Sequence, residues 1–120
     1  MDRIFTIALH VTGTMTADLD ARWTAPCDCQ LIHVSAVNTA AYAAGLSIGT
    51  SVSGTAYLAK CDTGVSSVPV EKTRTDFVGD QYPHVPDGTI VVVGVDYNYN
   101  GGGAAQSSAD LTVVLTFTEG

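Results

Sequence analysis

Basic residues are scarce in this chain. Five lysines and arginines stand against twelve aspartates and glutamates in 120 residues, a formal charge of −7 at pH 7. Among the five, only Lys72 and Arg74 lie close together. A field of that sign repels phosphate and no basic cluster overcomes it, so neither DNA nor RNA is an expected partner. The plainest use of the charge is solubility. Long hydrophobic runs are missing too. No segment approaches the roughly 18 apolar residues of a membrane helix, so no membrane partner is expected. Met1-Asp2-Arg3-Ile4-Phe5 opens a short, strand-like alternation with no small-residue cleavage site after it, which points to synthesis in a cytoplasm. Lys-, Glu- and Leu-rich amphipathic stretches are lacking, which argues against a helical domain.

What the chain does contain is alternation. In Ile90–Tyr99 the positions Val91, Val93, Val95, Tyr97 and Tyr99 are all apolar or aromatic. In Leu111–Thr118, Leu111, Val113, Leu115 and Phe117 share one face, and three threonines and Val114 share the other. A period of two sends successive side chains to opposite faces of a sheet, and β-branched and aromatic residues fit that surface. These two segments are expected to be long antiparallel neighbours joined by a loop through Gly101-Gly102-Gly103. Phe5, Ile7, Leu9 and Val11 mark a half-buried first strand, ended by a turn at Thr12-Gly13-Thr14. Asp18–Thr24 reads as a more polar strand that Pro26 breaks.

Gln30–Asn38 reads as another strand, with Ile32, Val34 and Ala36 on one face and Leu31, His33, Ser35 and Val37 on the other. Residues 39–45 form a helical turn or a loop. Leu46, Ile48, Thr50 and Val52 suggest a further strand. Within 54–67 a short helix around Ala56–Lys60 competes with loop. Val68–Val70 is extended and, because of Pro69, placed on an edge. Asp76–Val78 adds a short strand, and Asp87-Gly88 turns the chain into the Thr89 strand. The total is about eight strands with turn signals every ten residues or so. A single all-β domain is expected: an antiparallel β-sandwich, best matched by a jelly roll, with a closed barrel as the next option.

Chemical motifs are weak. Asp96-Tyr97-Asn98-Tyr99-Asn100-Gly101 matches the first half of a calcium loop, with Asp96, Asn98 and Asn100 as oxygen donors. However, Ser107 stands where a bidentate glutamate is needed, and Asp and Asn at a strand end are ordinary turn formers. On an extended segment Cys27, Cys29 and His33 would share a side, and with Cys61 or His84 they could hold zinc. The spacing is that of no finger or ribbon, and reduced, partly buried thiols are the simpler reading. No G-x-S-x-G elbow accompanies the serines, and His10, His33 and His84 sit in unrelated contexts. With two glutamates in the chain, a carboxylate pair for sugar cleavage is not suggested either. No enzymatic activity and no cofactor are expected. Trp23, Tyr82 and Tyr99 are the candidate contact residues, because rigid amphipathic rings suit both subunit interfaces and sugar stacking.

Five stretches, in order, carry a likeness: Thr16-Ala17-Asp18, Trp23-Thr24-Ala25-Pro26, Leu31–Ala36, Ser47-Ile48-Gly49-Thr50 and Asp110–Gly120. Together they resemble the small structural proteins that decorate or cement the heads of tailed bacteriophages. The similarity spans most of the chain and is least over residues 54–88. The resemblance implies a jelly roll or related sandwich. It further implies a homotrimer on the outer capsid surface of the virion that ties neighbouring copies of the major capsid protein together. It carries no catalytic motif. The competing expectation is a carbohydrate-binding sandwich, a surface adhesin using Trp23 or Tyr99; a small hydrolase ranks third.

Overall fold

The computed structural model describes residues 3–97, 99 and 107–120. Among these the chain forms nine strands: β1 Ile4–Thr14, β2 Leu19–Thr24, β3 Cys29–Val37, β4 Gly45–Thr50, β5 Leu58–Asp62, β6 Val70–Lys72, β7 His84–Val85, β8 Ile90–Asp96 and β9 Ala109–Glu119. Two 3-10 turns, Arg74–Asp76 and Val78–Asp80, lie between β6 and β7.

Every strand pair is antiparallel. One sheet runs β1-β9-β3-β6, with β7 also on the outer side of β3, and the other runs β2-β8-β4-β5. The first strands alternate between the sheets, and the last two return to lie inside the pairs opened by the earlier ones. That order is a jelly roll, two interleaved Greek keys. β6 pairs with Val34–Ala36 and β7 with Cys29 and Gln30, so two short pieces share one edge position along β3.

Period-two patterning places the core. Leu111, Val113, Leu115 and Phe117 of β9 and Val91, Val93 and Val95 of β8 point inward and are buried. Leu31 and Val34 of β3 and Leu46 and Ile48 of β4 meet them in one cluster. Each such side chain stabilises the fold by on the order of 1.5–3 kcal/mol relative to exposure. A polar knot closes one end. Asn38, fully buried, donates from Nδ2 to the Gly64 carbonyl at 2.9 Å, and its Oδ1 accepts the Ala40 N–H at 2.9 Å. Thr63 Oγ1 accepts the Ala44 N–H at 3.0 Å beside it. Each polar group there is paired, as burial requires.

The structure corrects several expectations. β8 and β9 are not neighbours: β8 pairs with β2 and β4, and β9 with β1 and β3, in opposite sheets. A stretch of twelve residues separates Asp96 from Ala109, far longer than a hairpin turn and long enough to cross between layers. Ala56–Lys60 is not helical, and Leu58–Asp62 forms β5, an edge strand that exposes Ala59, Lys60 and Asp62. Asp76–Val78 falls in the two 3-10 turns instead of a strand. Thr12–Thr14 does not end β1. Gly13 takes φ 81°, the register shifts between Val11 and Thr14, and pairing resumes at Thr14 opposite Ala109. On β3 the register shifts between Leu31 and His33. This bulge puts Leu31 with Val34 and Ala36 in the core and leaves Ile32 half-buried, because one extra residue reverses the alternation.

Candidate interaction surfaces

The three aromatic candidates do not converge. Trp23 projects from β2 into the sandwich. Its ring lies 6.0 Å from Phe5 and 5.0 Å from Phe117, so it closes the core at the rim between β1 and β2. Phe5 in turn stacks on Phe117 at 5.3 Å. Tyr82 is 40% exposed and precedes β7, next to Pro83, whose carbonyl accepts the Leu31 N–H at 3.0 Å. It therefore sits by the β7 edge of the other sheet. Tyr99 lies over Gly45 on the outer face of the β2-β8-β4-β5 sheet. A side chain at Gly45 would meet the Tyr99 ring at 2.5 Å, which is why this strand position needs glycine. The Lys60 ammonium sits 4.4 Å from the Tyr99 ring centre, a cation–π contact.

Beside Tyr99 runs a shallow trough of about 330 Å³ across that face. Gly94 forms its floor between Asp20 on β2 and Ser47 on β4, its partners in register. Asp18, Asp96 and Lys60 stand at one end. These carboxylates have partners. Asp96 Oδ2 takes the Lys60 ammonium at 2.8 Å, which raises the lysine above its usual range. Asp18 Oδ1 accepts the Tyr97 N–H at 3.2 Å, and Asp20 pairs with Arg22 at 3.3 Å. Asp96 of the calcium motif is thus held by an ammonium group, while Asn98 and Asn100 lie outside the described residues.

The thiol–imidazole cluster does not assemble. Cys29 is fully buried in the core, and desolvation pushes its thiol up to about 11. The bulge at Ile32 separates His33 from that face, and His33 Nε2 meets Glu71 Oε1 at 3.1 Å instead. Cys61 is half-buried on β5, its Sγ 3.6 Å from the Leu46 carbonyl. All three cysteines are free thiols, and among the described residues no three His, Cys, Asp or Glu side chains are grouped to hold a metal. His10 bonds Thr112 Oγ1 at 2.8 Å across β1 and β9, away from both other histidines in the register.

One feature escaped the sequence reading. The inner residues of β1 and β2 are only half-buried: Phe5, Ile7, Leu9 and Val11 on one strand, Leu19, Ala21 and Trp23 on the other. Both are edge strands, and together they form an open flank. The signal was in the composition of β1, eleven residues without Asp, Glu, Lys, Arg or Pro. It gained meaning only once β1 proved to be an edge.

No family model and no curated protein matches the chain. A solved structure does: a chain of the cyanophage Pam1 capsid asymmetric unit superposes with a TM-score of 0.59 at 17% sequence identity. The superposition covers 99% of this chain and 85% of that one. The two share a fold over nearly the whole length, including the 54–88 region where the sequence likeness was least.

Proposed function

We propose that this chain is a structural protein of a bacteriophage virion, a cement protein on the outer surface of the head. It works as a homotrimer that clamps neighbouring copies of the major capsid protein and performs no catalysis. The observation that carries the reading is the jelly-roll order of the two sheets, shared across 99% of the chain with a chain of a cyanophage capsid unit. The charge agrees with it. A protein at −7 is better placed outside a shell packed with phosphate than within it.

Each subunit contact is individually weak in this mechanism. A trimer makes several at once, so avidity exceeds single-site affinity by roughly 10²–10⁴. Because the cement binds the assembled lattice and not its separated parts, it stabilises the shell by mass action. The test uses purified protein and heads of the phage that encodes it, stripped of this component. The expected results are a trimer by native mass spectrometry, saturable co-sedimentation with heads, and genome release at a higher temperature once the protein is added back. A monomer at every concentration, with no co-sedimentation, would overturn the proposal.

One observation favours the carbohydrate-binding alternative: Tyr99 borders a trough containing Ser47 and carboxylates. With Trp23 packed on Phe117 and Tyr82 beside β7 of the other sheet, it lacks a platform of several rings. Glycan-array binding abolished by Tyr99→Ala would revive it.

A further inference from the structure

We draw no further inference here: the strongest candidate, the free edge of β1 with the half-exposed apolar flank between β1 and β2, carries none, because nothing in the structure shows what covers it.

Discussion

The two flanks of the sandwich begin from the same architecture and end differently. On the β5/β6 side the chain folds back over the opening. Phe77 enters the core between two 3-10 turns, and the Val78 N–H donates to the Tyr57 carbonyl at 3.0 Å, tying the segment to the approach to β5. Leu58, Phe77 and Val85 are all nearly inaccessible there. On the β1/β2 side no described segment folds back over the opening, and seven inward side chains stay half-exposed. Closing a flank takes a connection long enough to carry a plug. The residues between β6 and β7 provide one, and the short link between β1 and β2 does not. The contrast shows that one flank is closed by the subunit's own chain while the inward residues of the other stay half-exposed.

Substitutions can break or sharpen that contrast. The largest effect is expected from Phe77→Ala, which empties a buried site on the closed flank and should cost about 3–5 kcal/mol in chemical denaturation. Leu9→Ala on the open flank removes a side chain that is only half covered, so it should cost roughly 1–2 kcal/mol. Equal losses for the two would erase the distinction between the flanks. Lys60→Ala breaks the 2.8 Å pair with Asp96 and the contact with Tyr99 on the solvated outer face. With 41% and 30% side-chain exposure in the pair, the loss should stay below about 1 kcal/mol.

The smallest effect concerns the far end of β1. Asp110 accepts the Gly13 N–H at 2.7 Å and the Thr39 hydroxyl at 3.1 Å, which hold its carboxyl below the usual range. A depressed folded value means this stabilisation is present above the unfolded pKa and lost as pH falls through the folded one. Asp110→Asn should therefore lower Tm slightly at neutral pH. Its melting temperature should also fall less than that of wild type on acidification through the carboxylate range. A parallel acid dependence would remove the assigned role of these hydrogen bonds.

Much of the core was legible residue by residue. Leu111, Val113, Leu115, Phe117, Val91, Val93 and Val95 sit where alternation puts them. The reading failed where one residue shifted the phase: the bulge at Ile32 moved Leu31 into the core beside Val34 and left Ile32 half-buried. It failed again for rings. Trp23 and Tyr99 look alike as isolated aromatics in a strand, yet one faces Phe117 and the other Gly45 on the outer surface. Burial of a single ring depends on what lies across the layer, which no local pattern encodes. Cys27, Cys29 and His33 parted for the same reason, since the phase of β3 changed between them.

By itself the sequence determined an all-β chain, the inward residues of its longest strands and the sparseness of its reactive groups. These follow from side-chain period and composition, which are local. Only the tertiary structure decided that β8 and β9 separate into different sheets, that β1 is an edge and that one flank is plugged while the other stays open. Backbone ladders are chemically alike for every strand. The choice of neighbour is therefore settled by how all the layers pack at once.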